Sequence, residues 1–187
     1  MREKWSLQNN NGFTLVELLS VILILGILLA FSIPSYNTIR ERARITAMKM
    51  NMHNVAAVVE IFHAEKGYYA EDFYDDEYGS YFPGGDPNAN PPVMGKLPTN
   101  PWTGLVMDED EFNPDYYDNA EDVSNTVQGG PNDDDGYNAG EMRFAVYYPF
   151  GSARATLWGL IGMDGFGRSI RGYDAAAEEV IIFVLHN

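Results

Sequence analysis

The sequence predicts an α+β protein in which one long N-terminal helix, first transmembrane and then amphipathic, packs on a small antiparallel sheet. Three observations predict it. An apolar run of 21 residues, Phe13 to Ile33, follows a short polar leader. Residues 35–66 then contain no Gly or Pro, and apolar side chains recur there every three or four positions. Beyond Gly67 that period is lost, and short β-branched and aromatic runs alternate with Gly, Pro and Asp.

The apolar run comes first. At about 1.5 Å per residue it makes a helix roughly 31 Å long, enough to cross a bilayer. It carries one carboxylate, Glu17, and an acid inside such a segment is expensive and usually functional. The leader MREKWSLQNNNG has two basic residues but neither the apolar core nor the small-x-small site of a secretory signal. The apolar run follows the candidate cleavage point, so cleavage leaves the anchor on the mature chain. Charge alone does not orient it, because Arg2 and Lys4 flank one end and Arg40, Arg42 and Arg44 the other.

Gly12-Phe13-Thr14-Leu15-Val16-Glu17, followed by a long apolar helix, resembles the processing and methylation segment of type IV prepilins and type II secretion pseudopilins. Gly26 and Pro34 fall where that family has its helix glycine and proline. The resemblance covers about 25 residues closely and is highly specific. It implies a pilin fold, and a membrane peptidase that cuts between Gly12 and Phe13 and N-methylates Phe13. It also implies assembly through Glu17, a leader in the cytoplasm and a single-pass precursor in the inner membrane. The mature chain then joins copies of itself or related pilins in a filament built by inner-membrane machinery, at the cell surface or in the periplasm.

The physical reading agrees with that resemblance. Cleavage frees a cationic amine on Phe13, and methylation keeps its charge. In lipid or in a packed filament Glu17 needs a cationic partner, and the amine of a neighbouring subunit can supply one.

The amphipathic half of the helix extends over residues 35–66. Ile45, Met48, Met52, Val55, Val59 and Phe62 form one apolar stripe, read as a packing face. Pro34 lacks an N–H and crowds the preceding turn, so a kink or local melting is expected there, aided by Gly26. Gly67 ends the helix.

Residues 67–187 form the head. They hold five Lys/Arg against 22 Asp/Glu, whereas residues 1–66 hold seven against five. So acidic a surface excludes nucleic acid as a partner and attracts cations. Cysteine is absent, which excludes disulfides and thiolate metal sites. Glu71 to Gly95 is expected as a long surface loop and Asp108 to Asp135 as a second, acidic one. Between them, Leu97-Pro98-Thr99-Asn100-Pro101-Trp102-Thr103-Gly104 resembles the proline-tryptophan turn of pseudopilins and many pilins, with Trp102 as a buried anchor. Strands are expected at Met142–Tyr148, Ala155–Met163, Val180–Leu185 and, after a glycine turn at residues 162–167, at Ser169–Tyr173.

Among candidate sites, the run Asn132 to Gly136 invites a calcium reading. It lacks the EF-hand pattern, but the resemblance to type II major pseudopilins, which bind calcium in a loop near the sheet, makes Asp133, Asp135 and Asp164 candidate ligands. A solvated acidic surface is the plainer reading of the same residues. His53 and His63 lie ten residues apart on one helix, about 15 Å, too far to share a metal. No HExxH, G-x-S-x-G or P-loop pattern occurs, so no enzyme is expected. The leading expectation is a structural subunit of a type IV pilin-like filament. The alternatives are a pseudopilin of a type II secretion system and a membrane-anchored calcium-binding module.

Overall fold

The structure is a computed structural model, and it describes residues 12–108, 112, 115–117, 119–126 and 138–187. The chain divides into two units, residues 1–40 and residues 41–187.

In the first unit, helix α1 (Leu15–Lys66) begins at Leu15 and exposes an apolar side chain at nearly every position up to Phe31. This part of α1 is long and apolar enough to cross a membrane. The helical backbone continues without a break through Pro34, so no melted segment interrupts it.

In the second unit, the rest of α1 carries the stripe predicted from its spacing. Met48, Met52, Val55, Val59 and Phe62 are buried, and Ile45 packs against their cluster. Gly67 ends the helix in the left-handed region at φ +78°, its N–H donating to the His63 carbonyl at 2.8 Å. Glycine reaches that conformation without a Cβ penalty.

Among the described residues six strands follow: β1 (Asp115–Tyr117), β2 (Met142–Tyr147), β3 (Leu157–Gly162), β4 (Arg171–Asp174), β5 (Glu179–Ile182) and β6 (Leu185–His186). One sheet has the order β1-β2-β3-β6, and β4 and β5 form a separate hairpin. β2 and β3 pair antiparallel over six residues, with Ala145 opposite Gly159. Where this sheet crosses the helix, a Cβ on Gly162 would lie 2.9 Å from Met48 Cγ and 3.0 Å from Met52 Sδ. A side chain there would force the Met48 and Met52 side chains to shift.

The sheet differs from expectation in two ways. β1 comes from the segment expected as an acidic loop, and it pairs with β2 in parallel. The expected strand Val180–Leu185 is divided, its first part pairing with β4 and its end with β3. At the break, Phe183 N–H donates to the Ile170 carbonyl at 2.8 Å.

Residues 71–95 are also more than surface. Phe73, Tyr78 and Phe82 are buried, and the Phe73 ring stacks on Phe112 at 4.0 Å. The buried Tyr78 hydroxyl donates to the Ala70 carbonyl at 2.9 Å, which satisfies the one polar atom an aromatic core residue brings with it. The aromatic side chains draw this acidic loop onto the helix.

Candidate functional site

The first turn of α1 gathers the residues singled out for processing and assembly. Thr14 is its N-cap. The Thr14 hydroxyl accepts from Glu17 N–H at 3.2 Å, while Glu17 Oε2 accepts from Thr14 N–H at 2.9 Å and from the Thr14 hydroxyl at 2.8 Å. This reciprocal pair is a capping box, and it satisfies donors that a helix start otherwise leaves open. Glu17 thus has a partner inside its own chain before any neighbour arrives.

Thr14 was not singled out from sequence, although Thr-x-x-Glu ahead of an apolar run is the signal for such a cap. Phe13, next to it, is exposed, and in the uncleaved chain its nitrogen is an amide without charge.

Gly12 and Gly26 share a property. A Cβ on either would meet nothing within 4 Å, and neither has a positive φ. The fold of this single chain therefore demands glycine at neither place. In a helix interior glycine is about 1 kcal/mol less favourable than alanine, so Gly26 is a cost without internal return. Leu19, Ile22, Leu23, Ile27 and Ala30 surround it with an open apolar surface.

In the head, residues 97–104 fold into a tight turn around Asn100. Its buried carboxamide oxygen accepts from Trp102 N–H at 2.9 Å, and its amide donates to the Ala139 carbonyl at 2.9 Å. Trp102 is half-buried, packs on the core, and donates from Nε1 to Glu41 Oε1 at 3.1 Å.

Of the three candidate calcium ligands, Asp133 and Asp135 lie outside the described residues. Asp164 is engaged elsewhere. Its Oδ1 accepts from Phe166 and Arg168 N–H, and its Oδ2 from Arg168 Nε at 3.1 Å and Nη2 at 2.8 Å. These contacts hold the carboxyl below its usual pKa against the opposing effect of burial. Among the described residues no group of three or more His, Asp or Glu is placed to hold a metal. His63 stacks on Tyr69 at 4.1 Å and His53 meets the edge of Phe183.

A family model described as the prokaryotic N-terminal methylation motif matches residues 7–33. The type II secretion system core protein G of Pseudomonas aeruginosa is 30% identical over 99 residues, which is 51% of this chain and 70% of that protein. The chain belongs to the type IV pilin and type II secretion pseudopilin superfamily. The type IV major pilin protein PilA of Myxococcus xanthus is 36% identical over 62 residues, 33% of this chain but 28% of that pilin. No solved structure matches the chain significantly. The 99-residue alignment is longer than the 52 residues of α1, so the likeness to protein G includes residues beyond the helix.

Proposed function

We propose that this chain is a structural subunit of a type IV pilin-like filament. It is made as a membrane-held precursor, cut between Gly12 and Phe13, methylated on Phe13, and polymerised through the apolar half of α1. The observation that carries this reading is Glu17, a carboxylate in the first turn of a helix whose large apolar side chains from Leu15 to Phe31 are exposed in the single chain. Burying those side chains among other subunits removes them from water or lipid, and the charged amine released on Phe13 gives Glu17 a counter-charge in that setting.

A second reading, a pseudopilin of a type II secretion system, is favoured by one observation. Similarity to protein G covers most of that protein and passes beyond the helix, whereas similarity to the pilin covers 28% of it. Deleting the gene in the native host separates the two readings. Loss of surface filaments with protein export intact supports the pilus. Loss of export with surface filaments intact supports the pseudopilus. A deletion strain normal in both respects overturns the proposal.

A further inference from the structure

The head is acidic almost everywhere its sequence can be counted, yet one rim of it gathers cations. On α1 the two turns that meet it carry Arg42, Arg44 and Lys49. Across from them, residues 164–171 bring Arg168 and Arg171. The two segments touch. Ile45, Asp164, Arg168, Ser169, Ile170 and Arg171 line one cleft, and Lys49 Nζ donates to the Arg171 carbonyl at 3.0 Å. Among the described residues the carboxylates Glu41, Asp164 and Glu141 lie at or beside this rim, and each is engaged, Glu141 by Asn138. Glu41 accepts from Trp102 and lies 3.9 Å from Arg44, and Asp164 is held by Arg168.

At the tip of the 164–168 turn stands Phe166, 78% exposed, with the Arg168 guanidinium 4.9 Å from its ring centre. The turn is rigid, since Asp164 receives hydrogen bonds from both Phe166 and Arg168. A fixed turn that holds a bare aromatic ring beside several cations suits a boundary between water and an anionic apolar phase.

Chain connectivity names that boundary. Glu41 is eight positions beyond Ile33, the last residue of the apolar run, so even a fully extended chain keeps them within about 28 Å. We propose that this rim docks the head on an anionic bilayer surface while the chain is held in the membrane. Arg42, Arg44, Lys49 and Arg171 meet lipid phosphates while Arg168 stays paired with Asp164, and Phe166 enters the headgroup region. The inference rests on the reading of residues 13–33 as a membrane anchor. It also gives Arg42 and Arg44, which follow the span closely against the usual charge bias, anionic lipid to meet.

The test uses the full chain, one copy per nanodisc, in discs of phosphatidylcholine alone or mixed with phosphatidylglycerol. In a Phe166→Trp variant, emission in excess of the parent should shift to the blue, and headgroup spin-labelled lipid should quench it, in the anionic discs only. Arg42→Gln and Arg171→Gln should each weaken docking roughly fivefold, the equivalent of about 1 kcal/mol per charge, and high salt should abolish it. Amide exchange over residues 164–171 of the unsubstituted chain should slow in the anionic discs alone, a readout that needs no variant. Equal emission and exchange in both discs, with the span inserted, would overturn the docking and leave the anchor standing. A chain that enters neither disc would overturn both. A shift independent of lipid charge that needs two chains per disc would assign the rim to a second copy instead, and overturn the proposal.

Discussion

Trp102 Nε1 donates to Glu41 Oε1 at 3.1 Å, and so fixes a side chain 61 positions along the sequence to the helix at the start of the head unit. A Cβ on Gly165 would fall against the same indole. Helix, proline-tryptophan turn and glycine turn thus meet on one side chain.

Removing that side chain should be felt in the stability of the whole head. Trp102→Ala should lower stability by about 2–3 kcal/mol through lost packing and a lost hydrogen bond, less than a fully buried tryptophan would cost. Trp102→Phe keeps most of the packing and should cost about 1 kcal/mol, or ~2–4 °C in Tm for a unit of this size. Combining Trp102→Phe with Glu41→Gln should cost less than the sum of the two, since both remove one interaction. Thermal unfolding followed by near-UV circular dichroism measures all three, and strict additivity would show that the pair does not interact.

Acidity should stabilise the head between neutral pH and about pH 4.5. Glu77 is half-buried; burial, then the nearby charges of Asp72, Asp76 and Glu71, raise its carboxyl pKa, against a hydrogen bond from Asp72 N–H that lowers it. Asp72 is raised as well, by burial and then by Glu71. A carboxyl raised in the folded state binds its proton more tightly there than in the unfolded chain. Its contribution is therefore fully present below the unfolded pKa, 4.5 for Glu77, and is lost as pH rises through the folded value. Asp164 is lowered and opposes this only in stronger acid, near and below its ordinary value of 3.8. Glu77→Gln keeps an acceptor for Asp72 N–H and should flatten the rise in Tm between pH 7 and 4.5. A variant whose Tm follows pH as steeply as the parent would remove Glu77 from the account.

The buried stripe of α1 was legible because its spacing is set by one helix, and so were β2 and β3, within one or two residues at most ends. Long-range pairing was not legible. Asp115-Tyr116-Tyr117 gives no β-branched signal, and only the edge of β2 makes a strand of it. Val180 to Leu185 is one apolar run by composition, yet two different partners divide it. Counting acids also hid the state of Asp164, because Arg168 is close to it only after the turn has closed. The capping box at Thr14 was visible as a pattern but was masked by the assembly role expected of Glu17.

Calcium should distinguish the three aspartates. Asp164→Ala breaks the Arg168 lock and should lower Tm equally with calcium or with chelator. A calcium-dependent gain, if the protein shows one, should vanish with Asp133→Ala or Asp135→Ala. At a hundredfold excess over Kd that gain is about 2.7 kcal/mol. If Asp164→Ala alone removed such a gain, Asp164 would have to release Arg168 to bind the ion.

Processing predicts a mass. Protein from the native host should begin at Phe13 and carry one methyl group, about 14 Da, on its amine. Gly12→Val should block cleavage. Space around Gly12 is open in the chain itself, so folding would not explain such a block, and a branched residue beside the scissile bond would. Assembled material that still begins at Met1 would defeat this prediction.

Thr14 and Glu17 allow the two roles of the carboxylate to be separated. Thr14→Ala and Glu17→Val both dismantle the capping box and should loosen the first turn of α1 to a similar degree, because each removes a hydrogen-bonding partner of the other. Only Glu17→Val also removes the negative charge. It makes the span more apolar, so membrane insertion should be unchanged or better, and cleavage should continue because the Gly12-Phe13 junction is intact. Filament yield should nevertheless fall on the order of a hundredfold or more, since the Phe13 amine would then be buried in every subunit without a counter-charge. Thr14→Ala should assemble at a reduced level, and Glu17→Asp should lie between, its carboxylate one methylene short. Yields of sheared filaments from strains with each variant as the sole copy give the comparison. If Thr14→Ala proved as damaging as Glu17→Val, capping of the helix start, not charge pairing, would be the essential role of Glu17.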